Sequence, residues 1–138
     1  METSNLNYGL LLKWILWLVA IHSICFGISL IVLPIPVIEF FGFRLIEKFF
    51  AVQGGVFHIV VSLAYIMAAM DLRNASKLII LSCTAKFMAT IFLISWFIFV
   101  NHIFMVIFSG IADFLMGATI LSLYLLYRQK LETSSEIL

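Results

Sequence analysis

Long apolar stretches alternate with short polar breaks along the whole chain. Four stretches, 10–33, 49–70, 76–100 and 102–127, each reach the ~20 residues that carry a helix across a hydrocarbon layer. Pro34 and Pro36 end the first, because proline lacks the amide donor and crowds the preceding turn. Asp71-Leu72-Arg73-Asn74 forms a tight polar turn between the second and third. Only Asn101 and His102 separate the third from the fourth, so those two helices are expected to pack antiparallel as neighbours. The stretch 37–48, VIEFFGFRLIEK, is dense in apolar residues but broken by Glu39, Arg44, Glu47 and Lys48, and it is too short to span. It is expected to be an amphipathic segment at the membrane interface between helices 1 and 2. An amphiphilic loop packed on the end of the bundle fits the same pattern. The elements predict an all-α fold, an integral membrane four-helix bundle formed by a single transmembrane domain over 1–138.

Composition agrees with lipid as the solvent. The chain is 64% hydrophobic and 11% charged, against roughly 45–50% and about 25% in soluble domains, and its mean hydropathy is +1.21. A net charge of +1 supplies no basic surface for nucleic acid. Cys25 and Cys83 stand in separate apolar runs with no CxxC pair, so they are expected to be buried small hydrophobes. The first run lacks a small-residue cleavage signature and is expected to be a retained helix. Lys13, Arg73, Lys77, Arg128 and Lys130 gather at one end of the spans, while the other end has Arg44 and Lys48. The bias of Lys and Arg toward the cytoplasm predicts that both termini are cytoplasmic, in a multi-pass protein of the cell membrane. Trp14, Trp17, Tyr124 and Tyr127 at the same end would join the aromatic belt. The charged tail RQKLETSSEIL is expected to be solvated.

Four polar residues then become conspicuous. His22, His58, Lys86 and Asp113 each stand about ten to fourteen residues inside a different span, close to mid-membrane at about 1.5 Å per residue. An ionised residue there costs roughly 2.5–3.5 kcal/mol on insertion scales, so each calls for a reason. Helical spacing predicts inward stripes: Leu18, His22, Cys25 and Ser29; Gly54, His58, Ser62, Tyr65 and Ala69; Ser82, Lys86 and Thr90; Ser109, Asp113 and Gly117. Small and hydroxyl residues of this kind line helix contacts in membranes.

Lys86 and Asp113 lie about fifteen and twelve residues from the Asn101 turn, an axial offset of about 4–5 Å that a lysine stem covers. They can serve as a buried pair that fixes packing, or as a binding or proton-carrying pair. The candidate polar network comprises His22, His58, Ser62, Tyr65, Lys86 and Asp113. His22 and His58 also match the arrangement of axial ligands to haem b on neighbouring helices, while a hydrogen-bonded histidine in the Lys–Asp network is the simpler role. His102 is expected at the surface. Gly54 and Gly55 fit close helix packing. No nucleotide-binding loop, Ser–His–Asp order or HExxH motif occurs.

The apolar first helix, FFGF at 40–43, the Gly54-Gly55 pair, Lys86 in the third helix and Asp113 followed by Gly117 in the fourth resemble the small four-helix bacterial membrane proteins called DoxX-like. The similarity covers nearly the whole chain. It implies the four-helix fold, and it brings in quinone-coupled sulfur or redox chemistry, to which some members are linked. The expected function is non-enzymatic: an accessory subunit or binding module whose mid-membrane network takes a lipid-soluble ligand or a partner, in a homo-oligomer or larger membrane complex. A quinone- or haem-linked redox component, and a small oligomeric transporter or proton path, are the alternatives.

Overall fold

A computed structural model describes residues 7–135, and it is helical apart from short connections. The helices are α1 (Tyr8–Val32), α2 (Ile35–Phe40), α3 (Phe49–Met70), α4 (Ser76–Phe99) and α5 (Phe104–Ser135). All but α2 are long and apolar enough to cross a membrane. The chain is a multi-pass helical membrane bundle.

Each boundary has a local cause. The Asn7 side chain accepts a hydrogen bond from the Leu10 amide at 3.1 Å, so α1 begins at Tyr8, slightly before the expected start. Leu33 is extended ahead of Pro34, as a residue preceding proline prefers, and ends α1. The 37–48 stretch contributes most of the short α2, then turns at Gly42, whose φ of +94° favours glycine. Lys48 reaches back from this connection and donates to the Ile31 carbonyl at 2.6 Å, placing a cation at the negative end of α1. The last helix runs past 127 to Ser135. Residues 128–133 are exposed, with an Arg128–Glu132 contact of 3.0 Å at i, i+4. Residues 136–138 of the tail lie outside the described residues.

Three close approaches define the bundle. Gly27 of α1 meets Gly55 near the start of α3. Ser76 and Tyr124 share a hydrogen bond of 2.6 Å between the start of α4 and the far part of α5. Gly9 of α1 packs against the Tyr127 ring of α5. The long helices therefore alternate in direction, in the order α1, α3, α4, α5, and α5 closes the bundle against α1. The most extensive pairings are α1 with α3 and α4 with α5, and α3 with α4 is much looser.

The apolar core fills one half of the bundle, the half that holds the start of α1 and the end of α5. Leu12, Leu16, Val19 and Ala20 of α1 pack there with Tyr65, Ala68 and Ala69 of α3, Ile79 and Cys83 of α4, and Ile120 and Tyr124 of α5. In the other half α1 stays on α3 and α4 stays on α5, but among the described residues no comparable buried cluster joins the two pairs.

The inward face of α1 departs from the expected stripe. Leu18, His22 and Cys25 are exposed, and Leu16, Val19, Ala20, Ser23 and Gly27 are buried. The exposed cysteine also corrects the expectation that both thiols are buried; only Cys83 is. α1 is apolar all round, so its polar residues did not mark the packing face. Its small residues did. The faces of α3, α4 and α5 follow the expected stripes in large part: Ser62, Tyr65 and Ala69, then Ser82, Lys86 and Thr90, then Asp113 and Gly117, are buried, while Gly54, His58 and Ser109 are half-buried. Tyr124 is buried and bonded to Ser76 rather than standing in an aromatic belt.

Candidate functional site

The site begins as a ladder between α4 and α5. The Lys86 ammonium donates to Asp113 Oδ1 at 2.6 Å, with both side chains almost sealed. On one side of this pair, the Thr90 hydroxyl reaches the Lys86 carbonyl at 2.9 Å and the Gly110 carbonyl at 3.3 Å. On the other, the Cys83 thiol faces the Gly117 carbonyl at 3.9 Å. Residues 83, 86 and 90 thus climb α4 in steps of three and four while 117, 113 and 110 descend α5 in steps of four and three. That is the register of two antiparallel helices on one face each. Gly117 makes it possible: a Cβ there would stand 3.1 Å from Lys86 Cβ.

Across the bundle, the Tyr65 ring of α3 lies under the ammonium, with Lys86 Nζ 5.9 Å from the ring centroid, within cation–π range. Tyr65 is also the last large residue of the apolar core on this helix. Directly beyond it the two helix pairs separate. A cleft of about 480 Å³ opens there, lined by His58 and Tyr65 of α3, Lys86, Ala89 and Phe92 of α4, and Asp113 of α5, among others. Its size is within the usual range for small-molecule pockets, roughly 300–1,000 Å³. Phe57 and Phe92 stand at its rim, exposed toward lipid.

The polar atoms of this cleft are only partly used by the protein. Asp113 Oδ1 takes the lysine, while Asp113 Oδ2, the Tyr65 hydroxyl and the His58 ring nitrogens have no protein hydrogen-bond partner among the described residues. Among the described residues no sealed side-chain nitrogen or oxygen lacks a partner. These atoms therefore border accessible space, and their residues share the cleft wall. Donors and acceptors converge on an otherwise apolar hollow.

Four of the six expected network residues meet here: His58, Tyr65, Lys86 and Asp113. The other two do not join them. Ser62 is buried but donates to the Ile59 carbonyl of its own helix at 2.6 Å. His22 is exposed and stacks on Phe26, centroids 6.3 Å apart, and Phe26 in turn meets the His58 ring edge-on at 4.9 Å. The Phe26 ring contacts both imidazoles. Ser23, adjacent to His22, is the α1 residue that lines the cleft. Neither Ser23 nor the rim residues Phe57 and Phe92 stood out in the sequence. The small-residue face of α1 (Ala20, Ser23, Gly27) was the signal that could have found Ser23. His102 is exposed and packs edge-on against Phe97 at 5.3 Å. Among the described residues no group of three or more His, Cys, Asp or Glu side chains is arranged to hold a metal ion. Compared with protein-family models, curated proteins and solved structures, the chain matches none.

Proposed function

We propose that this protein is a non-enzymatic binding module of the cell membrane, and that the cleft between α3 and α4 takes a lipid-soluble ligand against the Lys86–Asp113 pair. The observation that carries this reading is the set of polar atoms on Tyr65, His58 and Asp113 left without a protein partner along an apolar cleft at mid-span. A polar group in hydrocarbon without a partner is expensive, by several kcal/mol in the limit. A ligand with an apolar body and a small hydrogen-bonding centre satisfies those atoms and fills the hollow. The ion pair orients the site, because Asp113 is held by lysine on one oxygen and keeps the other for the ligand.

The reading includes cytoplasmic termini, motivated by the Lys and Arg bias, and a 37–48 segment lying at the opposite interface. Kinship with the DoxX-like group belongs to the same proposal, as does assembly with further copies or with a membrane partner.

The test is purification in mild detergent, followed by organic extraction and mass spectrometry of the wild type, His58→Phe and Tyr65→Phe. A stoichiometric lipid-soluble compound is expected with the wild type and is expected to fall about tenfold with either variant. A wild type that carries no such compound, or variants that retain it fully, would overturn the reading.

A quinone is the second reading favoured by the geometry, since its carbonyls would accept from Tyr65 and from a His58 N–H on one wall. The same extract decides it. Haem held between His22 and His58 would require Phe26 to leave its position against both rings, and a Soret band in the purified protein is its check. Transport through the pair would need an oligomer, given how few helices enclose the path.

A further inference from the structure

A second cavity, of about 300 Å³, lies where the connection after α2 meets the end of α4 and the start of α5. Phe43, Arg44, Phe92, Trp96, Asn101 and Ile103 are among the residues that line it. Arg44 is the single charged residue in a lining that is otherwise mainly aromatic and aliphatic. It is exposed, and it has no hydrogen-bond or ion-pair partner among the described residues, although Glu39 and Glu47 are close in the chain. The Asn101 side-chain amide also has no hydrogen-bond partner among the described residues. Both residues belong to connections at the ends of membrane-length helices, where lipid headgroups would lie. Phe92 lines this cavity and the mid-span cleft alike, so one ring forms a wall common to both.

A cation without an internal counter-ion, set at the rim of an apolar hollow at headgroup depth, is complementary to a molecule with an anionic head and an apolar chain. We propose that the cavity binds one monoanionic amphiphile, its carboxylate or phosphodiester head on Arg44 and its chain lying along Phe92 toward the mid-span cleft. A single guanidinium matches a single negative charge, and its fork suits two oxygens of one head. The neutral Asn101 amide adds donors without adding charge.

The experiment is native mass spectrometry of the detergent-purified protein equilibrated with equimolar dioleoyl phosphatidylglycerol, dioleoyl phosphatidylcholine and oleate. Phosphatidylglycerol or oleate should be retained over phosphatidylcholine by about fivefold, the effect of about 1 kcal/mol per basic residue at an anionic surface. Retention of the phosphatidylglycerol alone would identify the head as a phosphodiester, and of oleate alone as a carboxylate. Arg44→Gln should abolish the preference and Arg44→Lys should keep most of it. Arg128→Gln, at the opposite end of the bundle, should leave it unchanged. Phe92→Trp enlarges the shared wall and should lower retention with Arg44 intact, which keeps the test available if Arg44→Gln does not fold. Equal retention of all three lipids, a full preference in Arg44→Gln, an equal loss in Arg128→Gln, or undiminished retention in Phe92→Trp would each overturn the proposal.

Discussion

Gly27 and Gly55 occupy each other's missing side-chain space. A Cβ on either would stand 2.6 Å from the other's carbonyl oxygen. Because the obstacle is backbone on both sides, no rotamer change relieves it, and the two helices touch only because both positions are glycine. Gly54, one residue away, has only the Leu30 side-chain tip at 3.8 Å.

Gly27→Ala or Gly55→Ala should therefore push α1 off α3 and destabilise the protein by about 1–3 kcal/mol. Gly54→Ala should be tolerated or slightly stabilising. Thermal unfolding in one detergent, followed by helical circular dichroism, distinguishes the two positions. Equal melting temperatures for Gly54→Ala and Gly55→Ala would contradict the contact.

The Lys86–Asp113 pair should behave asymmetrically. Lys86→Met alone, or Asp113→Leu alone, strands a buried charge and should cost about 3–5 kcal/mol. The double variant removes both charges and should recover most of that loss. Thr90→Val on the same ladder should cost much less, near the ~0.6 kcal/mol average for hydrogen bonds between membrane helices. Steric-trapping or denaturant titrations of the three variants give the comparison, and a double variant worse than either single one would refute it.

Reversing the pair, with Lys86→Asp and Asp113→Lys together, separates packing from binding. The swapped protein should fold, since the antiparallel ladder still brings the charges together. It should lose the ligand, because the free oxygen moves from α5 to α4. Melting temperature and extractable ligand, measured on the same preparation, report the two outcomes.

Lys48→Met tests how the connection after α2 is anchored. Its ammonium bonds the Ile31 carbonyl at the end of α1, so removal should weaken the fold by about 1 kcal/mol through the lost hydrogen bond and the lost cation at the helix terminus. Hydrogen exchange should rise in the last turn of α1 and leave α5 unaffected.

Ser76 and Tyr124 should couple by about 0.5–1.5 kcal/mol in a double-mutant cycle of Ser76→Ala with Tyr124→Phe. Additive effects would show that the 2.6 Å contact between α4 and α5 contributes nothing.

Much of the architecture was written in hydropathy and punctuation. The 49–70 stretch coincides with α3, and Asn101-His102 does join antiparallel neighbours. The Lys86–Asp113 contact followed from counting residues on either side of that turn, because helix geometry converts sequence distance directly into depth. Depth is legible; azimuth is less so. On α3, α4 and α5 a stripe of polar and small residues, Ser62 and Ala69, Ser82, Lys86 and Thr90, Asp113 and Gly117, marks the buried face. On α1 they do not: Ser29 satisfies its hydroxyl on the Cys25 carbonyl at 2.8 Å and needs no partner helix, and His22 looks outward. A helix apolar on every side offers no contrast from which to choose a face. The cleft itself was beyond reach of the sequence, since it arises from the separation of two helix pairs rather than from any residue pattern.

That separation has a mechanical consequence. The cluster of Leu12, Leu16, Ile79 and Ile120 acts as a fulcrum at one end, with α1–α3 and α4–α5 as two arms that diverge beyond Tyr65. Small rocking of the arms would widen the gap between Phe57 and Phe92 without disturbing the fulcrum. On the proposed reading, a guest would arrive sideways from the bilayer at its membrane concentration, far above any aqueous one, so a modest intrinsic affinity would be enough to hold it.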